Sequence, residues 1–231
     1  MKSTPRLFLS AMLTTFLSLS LFSVAALAGP PLICHPIEID GASSLPWTSH
    51  DWKLTGAENY DTKKLAADTL AVLASSQNVL VHMETLRRAT LYAKSDPVAA
   101  KQLLTMIVAN SKNPKSDRQA EALRLFDAGY LAEAYKQWLG EKGQNPANGL
   151  DGYALVKEAI HLRGGSDPQM EFAAALIGLS GPAPDQREFA QKAIAGAAKD
   201  PLLARNLSTH FLGTNSETMA EMISRTKLAK D

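Results

Sequence analysis

The 231 residues carry 24 Lys and Arg against 23 Asp and Glu, a formal net charge of +1, with 45% apolar and 20% charged side chains. An apolar fraction of this size supports a packed core and excludes a disordered, charge-rich chain. No basic excess exists to neutralise a phosphate backbone, which argues against nucleic-acid binding. The single cysteine excludes an internal disulfide framework and a four-thiolate metal site.

Residues 1–28 read as a secretory signal peptide. Lys2 and Arg6 form a positive start, and Leu7 to Leu27 is apolar with scattered Ser and Thr. Ala26-Leu27-Ala28 then offers small residues where a signal peptidase reads, predicting cleavage near Ala28 and a periplasmic or secreted protein. The run is long enough to span a bilayer, so an uncleaved leader makes a membrane anchor, the one membrane association the sequence supports. Pro31-Leu32-Ile33 is too bulky to direct a lipid onto Cys34. Loss of Lys2 and Arg6 with the leader turns the formal charge from +1 to −1.

Residues 29–60 predict an irregular strap. They hold Pro30, Pro31, Pro36, Pro46 and the Asp40-Gly41 turn, with no sustained period. Ile33, Ile37, Ile39, Trp47 and Trp52 are too apolar for a free linker, so the strap is expected to pack along the domain surface. A short strand is expected over residues 37–39.

Residues 61–231 predict a helical-repeat domain. Ala100, Leu103, Leu104, Ile107 and Val108 fall at i, i+3, i+4, i+7 and i+8, one buried helical stripe, and Met170, Ala173, Ala174 and Ile177 repeat the spacing. Asp96-Pro97, Asp167-Pro168 and Asp200-Pro201 read as helix starts, the Asp accepting from first-turn N–H groups and the Pro needing no donor there. Gly164-Gly165 reads as a helix stop, and Thr214 with Glu217 as a capping box. The punctuation predicts about ten helices of roughly 10 to 17 residues. Ser95-Asp96-Pro97 and Ser166-Asp167-Pro168 each follow a similar helix, and with Pro201 they set a period near 34 to 35, two helices per unit. The fold class expected is therefore all-α, an α-solenoid-like array of antiparallel helical hairpins.

Phe126-Asp127-Ala128-Gly129-Tyr130-Leu131-Ala132-Glu133-Ala134-Tyr135 resembles the small-residue and aromatic turn of a tetratricopeptide-type repeat, and the Asp-Pro starts resemble HEAT-type repeats equally. Met83-Glu84-Thr85-Leu86-Arg87-Arg88-Ala89 with Gly129-Tyr130 is similar to uncharacterised exported bacterial proteins, a resemblance that implies no activity.

Chemistry is sparse. Cys34-His35 is a candidate soft-metal or thiol pair, and Cys34 alone is a candidate for a disulfide-linked dimer, beside the plainer reading of a buried cysteine with an incidental histidine. His50, His82, His161 and His210 form no zinc-hydrolase spacing and read as surface or packed residues. No nucleophile elbow or phosphate loop occurs. Glu84, Asp127, Glu133, Glu158 and Glu171 leave open a spatially assembled carboxylate pair, though most read as solvated, and Glu84 with Arg88 reads as a surface pair. Arg87, Arg88 and Tyr92 on one helix, with Tyr130, Tyr135 and Trp138 on another unit, are candidate anchors on a concave surface, against the alternative that the aromatics fill gaps between hairpins. The function expected is an exported, non-catalytic module that needs no cofactor and binds a protein or peptide partner. The alternatives are an exported enzyme or accessory factor acting on cell-wall or peptide substrates through carboxylates, and a thiol or metal protein using Cys34 and His35.

Overall fold

A computed structural model describes residues 29–48, 54–113, 117–140, 145–181 and 183–212, and among these every regular element is a helix. The eight α-helices are α1 (Leu65–Ser75), α2 (Val79–Ala93), α3 (Pro97–Ser111), α4 (Arg118–Leu139), α5 (Gly152–Leu162), α6 (Pro168–Ile177), α7 (Gln186–Ala197) and α8 (Pro201–Leu207), the last continued by a π turn over Ser208–Leu212.

Their starts follow from local chemistry. The first N–H groups of a helix have no partner within it, and a short carboxylate just before it can accept them. Asp96 accepts from Val98 and Ala99, Asp167 from Gln169 and Met170, and Asp200 from Leu203, each with Pro at the first helical position. Asn78, Asp117 and Asp151 do the same for α2, α4 and α5. α5 stops where Gly164 and Gly165 take φ of +91° and +86°, so that Gly165 N–H reaches the Ile160 carbonyl and Gly164 N–H that of His161.

Two local expectations change. The described residues hold eight α-helices, and residues 213–231 of the domain lie outside them. The stretch Phe126–Tyr135 lies inside the unbroken 22-residue α4 instead of forming a turn. Gly129 does not break α4; its missing Cβ lets the Gly152 carbonyl of α5 approach, since a Cβ there would lie 2.6 Å from that oxygen and 2.9 Å from Val156. The second change is that residues 37–39 form no strand; the strap is extended with turns, and its main chain is satisfied by helix side chains. The Thr214–Glu217 capping box, Trp52, His50 and the leader lie outside the described residues.

The core is organised around α2, in which every residue except Arg88 is buried. A helix buried on nearly all its surface must have neighbours on every side, and α2 contacts α1, α3, α4 and α6, with the strap over its remaining face. α4 lies along α5 and α6 along α7 as the most extensive helix pairs. Strap residues Leu32, Ile33, Ile37 and Leu45 are at most 3% exposed and belong to the same core. Among the described residues no helix is long and apolar enough to cross a membrane.

The Gly129–Gly152 crossing gives a direct test. Gly129→Ala must push α4 and α5 apart, and overpacking of this kind costs about 1–3 kcal/mol. Urea unfolding is expected to show that loss, whereas Gly149→Ala, in an open loop at φ +86°, should lose only the left-handed backbone cost of about 1 kcal/mol.

Candidate functional site

The polar side chains of α2 divide between two neighbourhoods. Towards its C-terminus, Glu84, Thr85, Arg87, Arg88 and Tyr92 lie at i, i+1, i+3, i+4 and i+8 and meet the strap. Glu84 is 1% exposed, and its carboxylate accepts Arg87 Nε at 2.7 Å, Arg87 Nη2 at 3.0 Å, Arg88 Nε at 2.7 Å and the Ile37 N–H at 2.9 Å. Arg87 Nη1 donates to the Ile33 carbonyl at 2.9 Å and Arg88 Nη1 to that of Leu45 at 2.7 Å. Thr85 pairs with the Ser44 hydroxyl, and Tyr92 donates to the Pro46 carbonyl while accepting the Ala57 N–H. The Trp47 ring lies against both guanidinium groups, 5.4 Å from Arg87 and 6.0 Å from Arg88. Two further helices complete the hold. Gln137 of α4 accepts the Leu32 N–H, and the Asn206 amide of α8 accepts the Glu38 N–H at 2.8 Å and donates to the Glu38 carbonyl at 3.0 Å.

Glu84 and Arg88 are therefore not a surface pair. They form part of a buried ion cluster, because the helix carrying them is enclosed and the strap covers this face.

The other candidate anchors divide similarly. Tyr130 and Tyr135 are 0% exposed, filling space between helices; burial raises both phenols above their ordinary range. Tyr130 stacks on Phe126 at 5.6 Å, and Tyr135 donates to the Ala100 carbonyl. Trp138 is half-buried beneath the Lys94 ammonium, 3.7 Å from the ring centroid. Cys34 is a half-buried free thiol, raised by burial with Arg87 pulling the other way. The His35 ring lies 5.4 Å from that of His210. Among the described residues no group of three or more His, Cys, Asp or Glu could hold a metal. The carboxylates are dispersed: Glu133 accepts from Lys136 and the Tyr153 N–H, Glu158 is exposed, and Glu171 is buried on α6 with its pKa raised by burial.

Towards the N-terminus of α2 the polar groups face cavities. His82 is 1% exposed; its Nδ1 lies 2.6 Å from Asp127 Oδ1 of α4, and its Nε2 lies 3.1 Å from the Ser76 carbonyl at the end of α1. Both neighbours are acceptors, so both ring nitrogens must donate and the ring is an imidazolium. Burial alone lowers the His82 pKa, but the Asp127 charge and the hydrogen bonds outweigh it and hold the pKa above 6.5. A ring with both nitrogens committed has no lone pair for base catalysis. It joins α1, α2 and α4 instead. His210 is the contrast: burial among apolar groups pushes it down to about 4 and keeps it neutral.

A cavity of about 280 Å³ opens beside the His82–Asp127 pair, between α1, α3 and α4. A second, about 430 Å³, is bounded by the starts of α2, α6 and α8 and shares Gln77 with the first. Its wall carries the amides of Gln77, Asn78, Gln119 and Gln169, with Arg163, Ser166, Asp167 and Asp200. Sequence reasoning missed these partners because His82 and Asp127 are 45 residues apart and Glu38 and Asn206 are 168 apart. No protein-family model, curated protein or solved structure matches the chain.

Glu84→Gln leaves two guanidinium groups without their anion, and removing one member of a buried ionic cluster costs about 3–5 kcal/mol. A fall of that size in unfolding free energy, with strap amides such as Ile37 losing hydrogen-exchange protection, is the expected result.

His82 gives a pH dependence of definite sign. Its folded pKa lies above the ordinary 6.5, so its contribution is fully present below about 6.5 and is lost as pH rises through the folded value. The stability difference between wild type and His82→Gln is expected to be largest near pH 6 and to shrink towards pH 9. A pH-independent difference would show a neutral ring.

Proposed function

We propose that the protein is an exported, non-catalytic helical module, its hairpins stacked as a degenerate tetratricopeptide- or HEAT-like array, that binds an extended segment of a protein partner. The observation that carries this reading is the treatment of the chain's own strap. Side chains of α2, α4 and α8 bond to main-chain groups at Leu32, Ile33, Ile37, Glu38, Leu45 and Pro46. Bonds to the main chain hold an extended polypeptide largely irrespective of its side chains, as main-chain hydrogen bonds do for peptides that add to a sheet edge.

The strap occupies that face, so a partner needs another. The 430 Å³ cleft at the starts of α2, α6 and α8 has suitable chemistry. A side-chain amide both donates and accepts, as a peptide group does, and four of them line this cleft. Asp167 and Asp200 already serve as caps there, and Asp200 accepts from Gln169 at 2.7 Å, which fixes the amide's direction. The residues that hold the strap thus maintain the fold, while the cleft receives the partner. Export rests on the leader ending at Ala28, with Gly29 and Pro30 alone between it and the packed Pro31-Leu32-Ile33 stretch.

Photo-crosslinking from Gln119 in the exported protein tests the reading. One dominant adduct is expected, reduced about tenfold by Gln77→Ala/Gln169→Ala if these amides behave as interface anchors. The same reactive side chain at exposed Lys101, on the outer face of α3, should give none. Equal adducts from both positions, or none from either, would remove the cleft as the binding face.

A further inference from the structure

The smaller cavity has a different character from the amide-lined cleft. Leu70 and Leu73 of α1 and Leu123 of α4 form an apolar wall. Its polar end gathers Asn110, Arg124 and the His82–Asp127 pair. Five of its ten lining residues are apolar and five polar, and the 280 Å³ volume lies just below the usual small-ligand range of about 300–1,000 Å³.

The charges at the polar end identify what is missing. His82 and Asp127 satisfy one another at 2.6 Å, so the pair is neutral as a unit. Arg124 is not neutralised. Among the described residues no carboxylate lies within ion-pair distance of it. One of its Nη2–H groups donates to the Asn113 carbonyl at 3.2 Å, and its Nε, out of contact with solvent, has no partner among the described residues. A guanidinium carries five N–H donors in a flat fork that matches a carboxylate. Arg124 is half-buried and lines the cavity with donors that no carboxylate among the described residues takes up.

We propose that this cavity binds a small carboxylate carrying a short apolar stem, with Arg124 as the ion partner and Leu70, Leu73 and Leu123 around the stem. The His82 imidazolium cancels the charge of Asp127, which would otherwise repel such a ligand. The same chemistry belongs to a free short-chain acid and to the C-terminal residue of a peptide. The site does not depend on partner binding in the neighbouring cleft.

Calorimetric titration of the intact protein with hexanoate, hexanol and N-acetyl-leucine decides the matter. At least one of the two acids is expected to bind saturably, and about tenfold more tightly than the alcohol, as a charged hydrogen-bonded contact implies. Arg124→Gln should abolish that preference while leaving the weak alcohol binding unchanged, and Arg124→Lys, which keeps the charge but not the fork, should retain part of it. Tighter binding of N-acetyl-leucine assigns a peptide C-terminus as the source, and binding of hexanoate alone assigns a free acid; either supports the site. The thermal transition of each variant confirms folding. No saturable binding of either acid, or equal binding of acid and alcohol in the wild type and in both variants, would overturn the proposal.

Discussion

The Glu84 carboxylate sets the constraint on which the rest of the structure depends. Removing an ionised carboxylate from water costs several kcal/mol, and the cost is recovered only when its lone pairs are filled by donors of good geometry. Here the donors are Arg87, Arg88 and the Ile37 N–H, at 2.7 to 3.0 Å. The two arginines spend further donors on Ile33 and Leu45 carbonyls. Every member is therefore satisfied only when the strap lies in one register. A shift by one residue would leave the Glu84–Arg87 and Glu84–Arg88 pairs within α2 intact, but would part the Ile37 N–H and the Ile33 and Leu45 carbonyls from their charged partners, and charge-assisted bonds of this kind are the stronger ones. The apolar residues supply the affinity of strap for body, and the ion cluster selects the register.

This arrangement also explains why α2 is central. A helix that buries all of its surface except at Arg88 needs neighbours on every side, and four helices cannot cover the face that carries five polar groups without polar counterparts. An irregular strap can. Its main-chain N–H and C=O groups are not consumed in a helix or sheet ladder, so they are available to side chains. The expected strand over residues 37–39 is absent for this reason: the Ile37 and Glu38 N–H groups bond to Glu84 and Asn206 side chains instead of to a neighbouring strand.

What was legible in the sequence was local. The Asp-Pro starts of α3, α6 and α8 depend on two adjacent residues, and the Gly164-Gly165 stop on backbone freedom at two positions, so pattern alone places them. The packed strap was legible from composition, because Ile33, Ile37, Ile39, Trp47 and Trp52 are too apolar for solvent. Glu84 with Arg88 was misread because an i, i+4 ion pair has the same spacing in the core as on the surface; only the apolar residues on every side of it, from Val79 to Leu91, distinguish the two. Gly129 was misread because a glycine amid small residues signals a turn as readily as a close helix crossing, and the crossing requires Gly152, 23 residues on. The His82–Asp127 and Glu38–Asn206 pairings join segments whose approach is decided by the whole fold, and no local pattern carries them.

The two ends of α2 thus perform different tasks with the same kinds of residue. At the C-terminal end, Glu84, Arg87 and Arg88 bond to one another and to main-chain groups of the strap. At the N-terminal end, Asn78 and His82 are also committed, one as a cap and one as a bridge to α1 and α4, but the surfaces around them remain open as cavities lined by other helices. His82 lies only two residues before Glu84, on a helix too tightly enclosed to bend between them. The residue that joins α1, α2 and α4 and the residue that anchors the strap are therefore held by one enclosed helix, so the packing of α2 sets both ends at once.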